Sequence, residues 1–152
     1  MALSDNRGSR EFDKFVADGS GNTSLRVTST TSETTSASST SQTVEDTSAA
    51  SASVVLTATD VEGKSRIGIQ IFNTGNTNDD QNATFKVFGT LKTSPGTVGG
   101  SDWTQIGDDI AVNRNTNAYK AISTTPIKSI GITGQTGHST QTSTCDVFIM
   151  AD

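Results

Sequence analysis

From residue 53 onward, apolar residues recur at every second position. In "SRIGIQIF", Ile67, Ile69 and Ile71 share one face; in "TFKVFGTL", Phe85, Val87 and Leu91 do so, with Gly89 between them. "STCDVFIM" groups Cys145, Val147 and Ile149, "VVLTAT" groups Val54 and Leu56, and "IKSIGIT" adds Ile130 and Ile132. Period two with many β-branched residues is the signature of strands, and no i, i+3, i+4 stripe competes with it. Turn-forming clusters separate the runs: "DVEGK", "NTGNTNDDQN", "SPGTVGGSD" and "GQTGHS". The pattern predicts eight strands, at about 53–59, 65–73, 83–91, 103–106, 109–113, 118–123, 127–133 and 143–150. Eight short strands without a helix predict an all-β domain, a single eight-stranded antiparallel β-sandwich of jelly-roll type.

The front of the chain reads differently. In residues 1–27, Phe12 and Phe15 lie three apart, the spacing of one side of a helical turn, among Arg10, Glu11, Asp13 and Lys14. "DGSGN" (18–22) is a turn signal, and "TSLRVT" alternates Leu25 and Val27 with Ser24 and Arg26 as a short strand. The two Phe, one Leu and two Val of residues 12–27 cannot form a core by themselves. Residues 28–52 then have almost no apolar content beyond Ala37, Val44 and alanines at 49, 50 and 52. Ordering a residue costs about 1–2 kcal/mol of backbone entropy, which such a stretch cannot offset, so it is expected to be a disordered tether. The expected organisation is a docking arm at 1–27, a Ser/Thr-rich tether at 28–52 and a sandwich at 53–152.

Parity leaves Phe72, Phe88 and Phe148 on the face opposite the isoleucine and valine stripes. One account is register slippage, a bulge or isolated exposed rings. The other is a second, partner-facing surface, since large apolar patches mark interfaces. On that account the three rings form an oligomer interface.

Composition narrows the function classes. The 152-residue chain is 31% hydrophobic, and its net charge is −5. Residues 1–27 carry four basic and four acidic residues, 28–52 none and three, and 53–152 seven and nine. No segment has the basic field that neutralises phosphates, so nucleic acid is not an expected partner. No apolar run approaches the ~18 residues a membrane helix needs, and "MALSDNRGSREFDK" lacks the apolar core of a signal peptide. A single cysteine, Cys145, precludes an intrachain disulfide and fits synthesis in a reducing cytoplasm. Asn22-Thr23-Ser24 and Asn82-Ala83-Thr84 match the glycosylation sequon, read as chance in a Thr-rich chain.

Catalytic chemistry finds little support. His138, the one histidine, sits in the polar loop "TGQTGHSTQ", and "GHSTQ" is not a nucleophile elbow because Gln141 replaces the last glycine. Cys145 falls at a strand's apolar parity, as a structural thiol would. Asp18–Asn22 starts like a calcium loop, but Thr23 and Ser29 stand where glycine and a bidentate acid belong. Asp79-Asp80 and Asp108-Asp109 read as solvated turn residues, and Gly99-Gly100 has no following Lys-Ser/Thr for a phosphate loop. The expectation is no enzyme, no metal and no cofactor. Trp103 and Tyr119 are the residues a carbohydrate-binding module for host attachment would use as sugar platforms.

The opening "SREFDKFVADGSGNTSLRV" (9–27) resembles the N-terminal segment of several tailed-bacteriophage virion proteins: an aromatic-Lys-aromatic start, a D-G-x-G-N turn, then a short S/T-x-R-V strand. The later "DWTQIGDDIAV…YKAI…IKSIGI" (102–132) is similar to β-sandwich modules of phage head-decoration, neck and tail accessory proteins. The resemblance implies a structural virion protein made in the host cytoplasm and assembled symmetrically as a homo-oligomer, often a trimer. Its partners would be the major capsid protein or neck and tail proteins. A head-decoration or cement role and a neck, tail or fibre-adaptor role both fit it. Phe12, Phe15, Leu25 and Val27 would anchor the arm by apolar burial or strand addition, with Arg10, Lys14 and Arg26 pairing acidic groups at the rim.

Overall fold

The computed structural model describes residues 11–17, 23–28, 34–47, 49, 51–74, 82–123 and 126–152. The chain divides into two units, Met1–Glu33 and Thr34–Asp152. In the first, β1 (Glu11–Ala17) and β2 (Thr23–Thr28) form an antiparallel pair. Phe12 and Phe15 therefore lie on a strand, not on the helical turn their spacing suggests. Aromatic and β-branched residues favour an extended backbone, and the intervening glycine-rich segment suits a hairpin.

The second unit is all-β, a sandwich of two antiparallel sheets with nine strands. The strands are β3 (Thr35–Val44), β4 (Ser53–Asp60), β5 (Arg66–Asn73), β6 (Ala83–Thr90), β7 (Thr104–Gln105), β8 (Ile110–Val112), β9 (Thr116–Ser123), β10 (Ser129–Thr136) and β11 (Ser143–Ala151). One sheet runs β3-β11-β5-β9; the other runs β4-β10-β6, with β7 and β8 pairing successive stretches of β6. The described residues contain no helix. All eight predicted strands are present, so the ninth is what the sequence reading lacked.

That ninth strand, β3, lies inside the expected tether, and the sandwich therefore starts near Thr34 rather than at 53. Its order comes from backbone pairing more than apolar burial. β3 runs antiparallel along β11 from Thr35↔Ala151 to Val44↔Ser143. The next residues continue the attachment: Thr136 N donates to Glu45 O at 2.9 Å and Thr47 N to His138 O at 2.8 Å. Val44, fully buried, is its one large core residue.

The core fills the space between the sheets as the parity requires. Ile67, Ile69 and Ile71 of β5, Phe85 and Val87 of β6, Ile130 and Ile132 of β10, and Cys145, Val147 and Ile149 of β11 are buried together. Leu91, expected to continue the β6 stripe, lies beyond the end of that strand and is 71% exposed. A polar pair closes one end of the core: Ser143 Oγ donates to Asn73 Oδ1 at 2.6 Å, and Asn73 Nδ2 donates to Val112 O at 3.2 Å.

Candidate functional site

Two surfaces have the features of docking sites: the β1–β2 hairpin, and the outer face of the β3-β11-β5-β9 sheet. In the hairpin, Phe12 pairs with Val27, Lys14 with Arg26 and Phe15 with Leu25, with a register shift between Phe12 and Lys14. Val27 and Leu25 are two apart on β2 and so occupy one side of the ladder. The shift brings Phe12 and Phe15, three apart in sequence, to that same side. All four apolar residues expected to anchor the arm thus share a side by register. Lys14 and Arg26 form the pair between them, and Arg10 lies outside the described residues.

On the sandwich, cross-strand pairing lays out the outer face in rows. Ser36, Met150, Gly68 and Ala121 form one row, and Ser38, Phe148, Gln70 and Tyr119 the next. Asp146, Phe72 and Asn117 form a third. Tyr119 is 68% exposed, Met150 61% and Phe148 39%. The tyrosine ring leans across β5, because a methyl group on Gly68 would sit 3.0 Å from the Tyr119 hydroxyl oxygen and 3.4 Å from the ring. A larger residue there would have to push the ring aside. A groove of about 620 Å³ runs over this face between Tyr119 and Met150, reaching Ser36 and Ser38 at the sheet edge.

The other sheet is covered over much of its outer side, with a groove of about 680 Å³ beside Leu91 at the end of β6. Its central strand β10 is buried on both sides along most of its length. The chain between β6 and β8 folds back over it. A methyl group on Gly131 would come within 2.6 Å of a Val98 methyl, and one on Gly99 within 3.7 Å of the Phe88 ring. Trp103 anchors this cover: it is 7% exposed, and its indole Nε1 donates to Gly96 O at 2.9 Å. Asp102 supports the same loop by accepting from Gly96 N at 3.0 Å and pairing with Lys92. Those contacts, Lys92 first, hold the Asp102 carboxyl below its ordinary pKa of 3.8.

The three phenylalanines grouped by parity are therefore not brought together. Phe72 and Phe148 share the open face, whereas Phe88 belongs to the opposite sheet beside the covering loop. Trp103 is too enclosed to offer a ring face to a sugar; Tyr119 is accessible. Ser36 and Ser38, which border the groove, escaped the sequence reading because a Ser/Thr run carries no apolar alternation.

The residues weighed for chemistry are apart. His138 Nδ1 accepts from Thr140 N at 3.1 Å within its own loop. Cys145 is fully buried in the core, and burial, with Asp146 adding to it, pushes its thiol up to about 12. Asp109 accepts from Gln105 Nε2 at 2.7 Å on an exposed turn. Lys128 bridges Glu62 and Asp60, and these carboxylates, Glu62 above all, raise its pKa. Among the described residues, no three His, Cys, Asp or Glu side chains gather as metal ligands. Asp79, Asp80 and the 18–22 turn lie outside the described residues.

No family model matches the chain, and no curated protein matches it. Among solved structures, it is similar to the VP2 subviral particle of infectious bursal disease virus, at 14% identity and a TM-score of 0.48, over 99% of this chain and 40% of that one. It is also similar to Bacillus endospore appendages described as disulfide-linked pili, at 13% identity and a TM-score of 0.37, over 78% and 84% of the two chains. The coat protein of Tobacco streak virus is similar at 10% identity and a TM-score of 0.36, over 80% and 87%. This chain thus spans well under half the length of the VP2 chain.

Proposed function

We propose that the chain is a non-enzymatic structural virion protein, a head-decoration or cement protein of a tailed bacteriophage, anchored to the particle through its N-terminal arm. The observation that carries this reading is the register of the β1–β2 hairpin. A two-stranded ribbon is at best marginally stable in water. This one gathers Phe12, Phe15, Leu25 and Val27 at positions on one side of its ladder, in a unit separate from the sandwich. An apolar stripe on a ribbon that small calls for a partner surface. The pair between them, Lys14 and Arg26, falls at positions on the opposite side of the ladder, from which it would meet acidic groups only at the rim of a capsid subunit's groove. A neck or tail attachment would use the same arm.

The pairing of the sandwich supports the jelly-roll reading. β3 pairs β11, β4 pairs β10, β5 pairs β9 and β6 pairs β8. This nested set is what results when one long antiparallel ribbon is rolled into two sheets. Counting β7 and β8 as one interrupted strand along β6 gives the eight strands of that architecture.

The test is incorporation into particles. Purified virions of the phage that encodes this sequence should contain the chain. The double substitution Phe15→Asp with Leu25→Asp in the full chain should leave it soluble and folded but absent from particles. Cryo-electron microscopy then separates a shell lattice from a neck or tail ring. A chain missing from purified virions overturns the proposal.

A further inference from the structure

A sheet edge exposes unpaired backbone N–H and C=O groups, and natural proteins usually block such edges against pairing with another chain. Among the described residues, three of the sandwich's four edges are blocked. β9 carries Lys120 at an inward-facing position, its Nζ donating to Asp108 O at 2.6 Å. β4 meets β10 with two register shifts and ends at Asp60. The third is broken into β7 and β8, of two and three residues. β3 differs. From Thr35 to Ser39 it pairs β11 without a shift, and its burial alternates regularly. Between Glu33 and Glu45 it has no charged residue and no proline.

The edge sequence also suits one occupant above others. Thr34-Thr35-Ser36-Ala37-Ser38-Ser39-Thr40 reads as a hydroxyl palindrome about Ala37. Laid antiparallel against itself about a two-fold axis at Ala37, it sets Ser36 opposite Ser38, Thr35 opposite Ser39 and Thr34 opposite Thr40. Hydroxyl pairs of this type add cross-strand hydrogen bonds. No like charges face each other, since residues 34–40 carry no charge. The small serine side chains leave the groove open toward Phe148 and Met150 on both copies.

The geometry points to β3 as a homotypic docking edge: two copies of this chain join by antiparallel pairing of their β3 strands, making one eight-stranded sheet of two β3-β11-β5-β9 halves. The contact is isologous, as a two-fold dimer requires. The two β11 strands then lie about 14 Å apart, three strand spacings, so the Phe148 and Met150 strips flank a shared trough. This pairing does not depend on the virion reading, and either can fail without the other.

The experiment is sedimentation equilibrium on the full chain from about 1 to 100 μM. The native chain is expected to dimerise. The double substitution Ser36→Lys with Ser38→Lys places two like-charged pairs directly across the axis. It should raise the dimer Kd at least tenfold while the melting temperature stays near native. Tyr119→Lys, at the far edge of the same sheet, should leave Kd unchanged. Ala37→Cys should give a covalent dimer on mild oxidation, and this arm decides the question if the lysine variant does not fold. A native chain that stays monomeric at 100 μM overturns the inference. So does a lysine variant with unaltered Kd, dissociation by Tyr119→Lys instead, or no cross-link through Ala37→Cys.

Discussion

Phe148 meets Phe72 edge to face, their ring centroids 5.9 Å apart and their planes at 89°. This contact lies on the solvent side of the sheet, between adjacent strands β11 and β5. The positive edge of one ring meets the negative face of the other, an arrangement worth about 0.5–1.5 kcal/mol beyond the area it buries. A double-mutant cycle with Phe72→Leu and Phe148→Leu, followed by urea unfolding, should return a coupling in that range. A coupling near zero would mean the two rings are independent surface residues.

Val98 sits directly on Gly131, and the opposite sheet has a different sensitivity for that reason. A methyl group at Gly131 would lie 2.6 and 2.7 Å from the two Val98 methyls. Gly131→Ala should therefore destabilise the protein by about 1–3 kcal/mol, the usual cost of overpacking. Val98→Ala in the same chain should recover part of that loss, because it vacates the space. The same covering loop changes the expectation for Phe88. Phe88→Asp should lower the unfolding midpoint, since the ring faces the loop at Gly99 rather than open solvent. If Gly131→Ala melts like the native chain, the loop does not pack as described.

The covering loop should also respond to acid. Asp102 has its pKa lowered in the folded chain by Lys92 and by Gly96 N. The folded state therefore holds the Asp102 proton less tightly than the unfolded state does. The stabilisation is fully present above the ordinary value of 3.8 and is lost as pH falls through the lower folded value. Asp102→Asn removes the charge that Lys92 pairs with. The stability difference between native and variant chains should be constant from pH 6 to about pH 5 and shrink towards pH 2. Urea midpoints followed by Trp103 fluorescence measure it. A difference that does not change with pH would mean that the carboxylate charge does not stabilise the loop.

Where the sequence could be read and where it could not follows from what each strand relies on. β5, β6, β10 and β11 announce themselves because Ile67, Phe85, Ile132 and Val147 are held by apolar burial, and burial imposes period two. β3 relies on the backbone. Its alternation of half-buried and exposed positions is carried by Thr, Ser and Ala, which hydropathy does not separate. The tether expectation failed there because entropy was weighed only against side chains, without the ladder that β11 provides. Phe12 and Phe15 misled in another way: a spacing of three looks helical unless a bulge is known, and a bulge is a property of pairing. The open face was half legible. Parity marked Phe72 and Phe148 correctly as facing away from the core, but the cover over Phe88 comes from a loop whose path parity does not encode.

If β3 belongs to the sandwich through its ladder and one anchor, that anchor should control it. Val44 is fully buried, and its Cγ1 would lie 3.4 Å from a methyl group on Gly134. Val44→Ala removes about two methylene equivalents, a loss of about 2 kcal/mol at roughly 0.8 kcal/mol each with a small cavity term. That loss should fall locally before it falls globally. Edge strands with few apolar contacts open at lower free energy than the core. In hydrogen exchange, the amides of β3 paired to β11 should lose protection in the variant, while those of β5 keep theirs. Limited proteolysis of the native chain gives the complementary result. The smallest surviving fragment should begin at or before Thr35, with a mass of about 12 kDa. A stable core that begins instead near Ser53 would return β3 to the tether and leave β11 at the sheet's edge.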